Sequence, residues 1–195
     1  MRIVVTGGIG TGKSTVCRAL QQRMPGYTLV SADDMVRNLY ANSAAFRAEL
    51  VTRFGTTDRK VISGMVFADD ARRADLVALS WVYLAPEVES LFCRDGIIFE
   101  FPLFFEHPHW VGRPDAVVVL GCDAQTQRQR VLARDGITEA ALARILAAQL
   151  PLEEKVRQAD IYLDTSGTLA AVLDAVDKLP LQLLALKLQK EGVLQ

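Results

Sequence analysis

VTGGIGTGKSTV, residues 5–16, lies between an apolar run and a stretch free of glycine and proline. Arg2, Ile3, Val4 and Val5, with their β-branched side chains, read as a buried strand. Ser14 to Met24 reads as a helix. The spacing Gly7-x-x-x-x-Gly12-Lys13-Ser14 is that of a phosphate-binding loop in its strand–loop–helix setting. Glycines let the backbone curl until several N–H groups point at one anion, and the helix N-terminus adds partial positive charge. Gly7, Gly8, Ile9, Gly10, Thr11, Gly12, Lys13, Ser14 and Thr15 are therefore the expected cradle for a nucleoside triphosphate. In it Lys13 would reach the β and γ phosphates, and the Ser14 hydroxyl would ligate Mg²⁺.

The composition fits a compact enzyme. The chain has 195 residues, half of them hydrophobic, which suits one domain with a small insert. A formal net charge of -1 gives no broad basic surface, so no nucleic-acid partner is expected. No apolar run reaches the ~18 residues of a membrane span. No secretory signal precedes the first strand, and a cytoplasmic location is expected. Cys17, Cys93 and Cys122 have no CxxC spacing and are expected to be reduced, small buried residues.

Further strands are expected at Tyr27–Val30, Ile97–Phe101 and Ala116–Leu120, with a short fifth in IYLDTSG. Met35 to about Cys93 is helical in pattern, with breaks near Phe54-Gly55-Thr56-Thr57 and at Pro86. A helix spans Gln125 to Arg134, Thr138 caps another running to Gln149, and a last begins at Thr168 with an interruption at Pro180. Short apolar strands alternating with helices imply an α/β fold, a parallel sheet covered on both faces. Its ligand belongs beyond the carboxyl ends of the strands.

The chemistry narrows by elimination. A switch GTPase would carry Asn-Lys-x-Asp, which is absent, and the single Asp-x-x-Gly, Asp164–Gly167, follows the last strand. A large motor ATPase needs a longer chain. A small-molecule kinase needs a phosphate cradle, a metal, cations on the transferring phosphoryl and an oriented acceptor. Asp33, just past the second strand, is a candidate to accept the acceptor's hydroxyl proton, and its alternative is a helix N-terminal acid, as Asp34 is expected to be. Glu100, ending the third strand, is a candidate to hold Mg²⁺ through water or, equally, a buried acid with a partner of its own. Arg130 and Arg134 share a helix face, with Arg128 beside them. They read as lid cations closing over the triphosphate, or more plainly as a solvated face. His107 and His109 share a loop with Glu106, without a third spaced metal ligand, and read as surface residues. Trp81, Trp110, Phe99, Phe101, Phe104 and Phe105 read as core and pocket wall, and Leu179 to Leu188 as a helix packed on the parent domain.

The stretches TGGIGTGKST, SAD, EFPLFFE, RVLARDGITEAALARILAAQ and AD…YLDTSGT, in that order, resemble the dephospho-coenzyme A kinase family from Met1 to about Val172. The resemblance implies a P-loop NTPase fold with a five-stranded parallel sheet, a helical acceptor-binding insert and a lid. It implies core segments of about 1–34, 95–123 and 159–195, an insert of about 35–94 and a lid of about 124–158. It gives Asp33 as the catalytic acid, Lys13 and Ser14 as phosphate and metal groups, and Arg134 as the lid arginine. It also lays the DTSGT loop, with Thr165, Ser166 and Gly167, against adenine. Its partners would be ATP and a small nucleotide-like acceptor. Three positions depart from the family pattern. Ser31 stands for the first acid of Asp-x-Asp, Ser63 for an arginine, and Ala85 for the histidine before Pro86. The implied acceptor is the 3′-hydroxyl of dephospho-coenzyme A. The alternative is a (deoxy)nucleoside monophosphate, for which Arg37, Arg59, Lys60, Arg72 and Arg73 supply cations. A non-catalytic nucleotide-binding regulator is the third reading.

Overall fold

The computed structural model describes residues 1–106 and 113–193. They form two compact units, one of residues 1–30, 94–106 and 113–193, the other of residues 31–93.

The first unit is built on a five-stranded sheet. Its strands are β1 (Arg2–Gly7), β2 (Thr28–Ser31, of which Ser31 is assigned to the helical unit), β3 (Ile97–Glu100), β4 (Ala116–Gly121) and β5 (Ile161–Asp164), in the order β2-β3-β1-β4-β5. β1 pairs in parallel with both β3 and β4, which sets Val5 between Glu100 and Val118. β3 and β4 are buried along their whole length, as continuous apolar strands of a parallel sheet should be. On one face Ile3, Val5, Ile98, Val118 and Leu120 pack with Val16 and Leu20 of α1 (Lys13–Arg23) and with Val176, Leu179 and Leu183 of the last helix. The leucine-rich tail is thus core on one side, while Leu181 and Leu184 face outward.

The helical unit holds α2 (Ala32–Asn42), α3 (Ala44–Phe54), α4 (Arg59–Ala68) and α5 (Asp70–Phe92). Ser43, Asp58 and Asp69 cap the last three with side-chain oxygens that accept backbone N–H groups. The unit has its own core of Phe46, Leu50, Phe54, Ile62, Val66 and Leu79. Tyr40 and Tyr83 meet Phe46 edge-on, at 5.2 and 5.4 Å between ring centres. Gly55 ends α3 in the left-handed conformation, so the expected break there is real.

The two expected proline breaks are not. α5 runs through Pro86, and the last helix, α9 (Leu169–Lys190), runs through Pro180. A mid-helix proline costs about 3 kcal/mol. Burial of Leu84, Val88 and Leu91 around the first, and of Val176, Leu179 and Leu183 around the second, opposes that cost. Strand and helix ends also move by a residue or two: β2 starts at Thr28, β3 stops at Glu100, β4 extends to Gly121, and the helix capped by Thr138, α7, is Glu139–Ala147. Between β4 and β5 lie α6 (Ala124–Asp135), α7 and α8 (Leu152–Arg157). Cys17 and Cys122 are buried, but Cys93 is exposed, against expectation. Among the described residues no helix is long and apolar enough to cross a membrane.

Asp115, leading into β4, accepts from the backbone N–H of Arg2 at 2.6 Å and from its guanidinium at 2.6 and 3.1 Å. These bonds, first that from the Arg2 side chain, hold the Asp115 carboxyl below its ordinary range. The stabilisation is therefore complete above about pH 4 and fades as pH falls through the lowered value. Asp115→Asn should cost about 1–2 kcal/mol at neutral pH and less as the pH is lowered below about 4, checked by denaturant unfolding at a neutral and an acidic pH. An equal loss at both would show that charge plays no part.

Candidate functional site

β1 ends at Gly7, and the chain turns through Gly8–Gly12 into α1. Gly7 has φ +148°, and a Cβ there would lie 2.3 Å from the Leu120 carbonyl oxygen of β4. Only glycine lets β1 stay in register while the loop leaves it. Gly12, at φ 77°, precedes α1 in the left-handed conformation, and its carbonyl accepts from Thr15 and Val16. The loop is braced internally by the buried Thr11 hydroxyl, which donates to Gly8 O at 2.9 Å. The Lys13 ammonium lies against the loop, 3.1 Å from Gly7 O and 2.7 Å from Gly8 O.

The first turn of α1 carries Ser14, whose hydroxyl donates to Glu100 Oε1 at 2.6 Å. Glu100 is only 6 % exposed. Its partner is thus a hydroxyl rather than a cation, and the two oxygens face each other where β3 ends beside the loop. The two expected metal groups are brought together.

The loop after β5 is tied to the same place. Thr165 is buried, and its hydroxyl sits 3.0 Å from Thr11 O and 2.9 Å from Gly121 O, joining the phosphate loop to the end of β4. Ser166 donates to Asp164 at 2.6 Å and accepts from the Asp123 N–H at 2.8 Å. The Arg130 guanidinium donates to Thr165 O at 2.7 Å and reaches Gly167 O at 3.5 Å. Arg130 is thus bonded to Thr165 and Gly167, and Ser166 between them is tied instead to Asp164 and Asp123.

Arg134 takes a different partner from Arg130, although both lie on α6. Its guanidinium donates to Asp135 at 2.6 and 2.8 Å, and the side chain is 61 % exposed. That bond holds the Asp135 carboxyl below its usual range. Arg128 pairs with Glu139. Asp33 belongs to the helical unit, exposed in the first turn of α2, while its neighbour Asp34 pairs with Arg37. Of the other cations counted toward an acceptor, Arg59 lies over the Tyr40 ring at 5.2 Å and Arg73 pairs with Asp70. His107, His109 and Trp110 lie outside the described residues.

The structure brings four further residues to this place, of which the sequence marks only Glu106, beside the histidines, and Gln149, as a helix end. Gln127 of α6 and Gln149, just past α7, both bond the Ile9 peptide. Glu106 accepts from the Leu150 N–H at 2.9 Å and pairs with the buried Lys155 of α8 at 2.9 Å. Gln127, Gln149 and Lys155 line a cavity of about 230 Å³ with Gly8, Thr11 and Cys122. Burial pushes the Cys122 thiol up.

Residues 1–171 match the profile of the dephospho-CoA kinase family. A dephospho-CoA kinase of Mesorhizobium japonicum is 36 % identical over 185 residues, covering 89 % of this chain and 91 % of that relative. One from Synechococcus sp. (strain JA-2-3B'a(2-13)) is 32 % identical over 212 residues, covering 87 % of this chain and 88 % of its own. A crystal structure of a Thermus thermophilus protein superposes with a TM-score of 0.75 at 30 % identity, covering 93 % of this chain and 97 % of that one. The likeness spans the phosphate loop, the helical unit and the helices between β4 and β5, and the chain belongs to the dephospho-CoA kinase family.

Proposed function

We propose that this chain transfers the γ-phosphoryl group of ATP to the 3′-hydroxyl of dephospho-coenzyme A, with Asp33, Lys13 and Arg134 as its catalytic residues. The observation that carries the reading is the family match over residues 1–171, which takes in the acceptor-side helices as well as the phosphate loop. In this reading residues of about 35–94, most of the helical unit 31–93, form the acceptor-binding insert, and about 124–158 the lid. An ATP-using enzyme of this kind works in the cytoplasm.

Each residue has a physical task. Lys13 brings its ammonium to the transferring phosphoryl, where charge develops. Ser14 and Glu100 fit Mg²⁺, because a hydroxyl and a buried carboxylate oxygen already stand 2.6 Å apart. Mg²⁺ keeps water and substrate phosphates for most of its ligands and needs only one or two protein oxygens. When bound it would neutralise charge on the β and γ phosphates. Asp33, two residues beyond β2, accepts the proton of the attacking hydroxyl. Arg130 steadies the loop of Thr165, Ser166 and Gly167 against adenine. Arg134 meets the transferring phosphoryl by exchanging Asp135 for phosphate. An exposed ion pair is worth about 0–1 kcal/mol, so that exchange is cheap.

Side-by-side measurement of ADP release should give faster turnover with dephospho-coenzyme A than with any (deoxy)nucleoside monophosphate at equal concentration. A faster monophosphate would overturn the assignment. Lys13→Ala should lower kcat/KM about a hundredfold or more, and near-normal turnover would sink the role given to the loop. Arg134→Ala should lower kcat about tenfold or more while the dissociation constant for ATP shifts by less than about threefold, since the cation meets charge that exists only in transfer. Equal losses would make Arg134 a ground-state clamp.

A further inference from the structure

The Ile9 peptide, at the tip of the phosphate loop, is held by both of its polar groups. Its N–H donates to Gln149 Oε1 at 3.1 Å, and its C=O accepts from Gln127 Nε2 at 2.8 Å. The partners fix which way round each side-chain amide lies, because only the oxygen accepts and only the nitrogen donates. The two glutamines come from separate segments, α6 and the residues just past α7. Both segments press closely on the loop. A Cβ on Gly10 would lie 2.6 Å from a Val131 methyl of α6. Gln149 is itself anchored, for the next residue, Leu150, donates to Glu106 Oε1, which also faces the buried Lys155 ammonium.

A glycine-rich loop is soft, since glycine surrenders more conformational freedom than any other residue when it is fixed. A phosphate cradle stabilises a transition state only as far as its donors are oriented beforehand. The Thr11 hydroxyl and the Lys13 ammonium bond carbonyls of the loop itself. Thr165 anchors the Thr11 carbonyl, toward the helix end of the loop. Gln127 and Gln149 anchor its tip. We propose that Gln127 and Gln149 are positioning residues, which hold the tip of the phosphate loop in its transferring shape through the paired hydrogen bonds to Ile9. Neither needs to touch the nucleotide.

The turnover half of the test rests on the kinase reading, and the exchange half does not. Glutamate at either position adds the same charge beside the loop, yet it can accept from the Ile9 N–H and cannot donate to the Ile9 carbonyl. Gln149→Glu therefore keeps its bond, whereas Gln127→Glu sets two acceptors face to face. Gln127→Glu should lose about tenfold more kcat than Gln149→Glu, with KM for ATP differing by less than about threefold between them. Gln149→Leu, which fills the space without an acceptor, should speed amide hydrogen exchange at Ile9 about tenfold, while Gln149→Glu leaves it slow. Equal kcat losses in the two glutamate variants, or unchanged exchange in Gln149→Leu, would overturn the proposal. A wild-type protein with slow Ile9 exchange and no turnover of dephospho-coenzyme A would instead refute the kinase reading and support the clamp.

Discussion

Where β1 stops, the Leu120 carbonyl of β4 comes within 2.3 Å of the point a side chain on residue 7 would occupy. That single close approach governs the geometry of the phosphate loop and its neighbours. β1 is sandwiched between β3 and β4, and its register sets Val5 beside Glu100 on one side and Val118 on the other. A chain leaving β1 without a Cβ at residue 7 can turn at once into α1, so Ser14 arrives opposite Glu100. Any bulkier residue would push β1 from β4 or lift the loop, and either shift would separate those two oxygens. The placement of Ser14 opposite Glu100 is thus an extension of sheet packing, since close-packed interiors tolerate only small displacements.

Around that point neutral side chains hold the backbone of Gly8, Ile9 and Thr11. The Thr165 hydroxyl, with one proton and two carbonyls in reach, bridges Thr11 and Gly121. Lys13 bonds the carbonyls of Gly7 and Gly8, and Arg134 pairs with Asp135 at the solvent edge. Backbone dipoles and the Lys13 ammonium together suit the loop to an incoming polyanion. The buried Lys155 of α8 has Glu106, from the segment after β3, beside it as a counter-charge.

The parts legible in the sequence are those whose reason is local. Five strands, the phosphate loop and the caps at Thr138 and Thr168 follow from apolar runs, glycine spacing and side-chain oxygens that reach two or three residues ahead. Ser14 and Glu100 were legible as separate candidates because each ends or begins an element at the sheet's carboxyl edge. Gln127 and Gln149 were not, since each bonds a peptide more than a hundred residues away and a glutamine carries no signal of what it will meet. Pro86 and Pro180 misled for the opposite reason. The local rule that a proline ends a helix was outweighed by apolar packing on both sides of it, which only the folded arrangement reveals.

The three cysteines divide sharply in character. Cys17, on α1, is enclosed in the core, where burial drives its thiol far above the ordinary range, and Cys122 is raised in the same direction. Cys93 stands exposed as the last residue of the helical unit. Thiol reagents attack the thiolate and need access to it, so the native chain offers them one point of attachment. A fluorophore or spin label can therefore be placed at the junction of the two units without altering a single residue, which turns an incidental cysteine into a ready-made handle for spectroscopy.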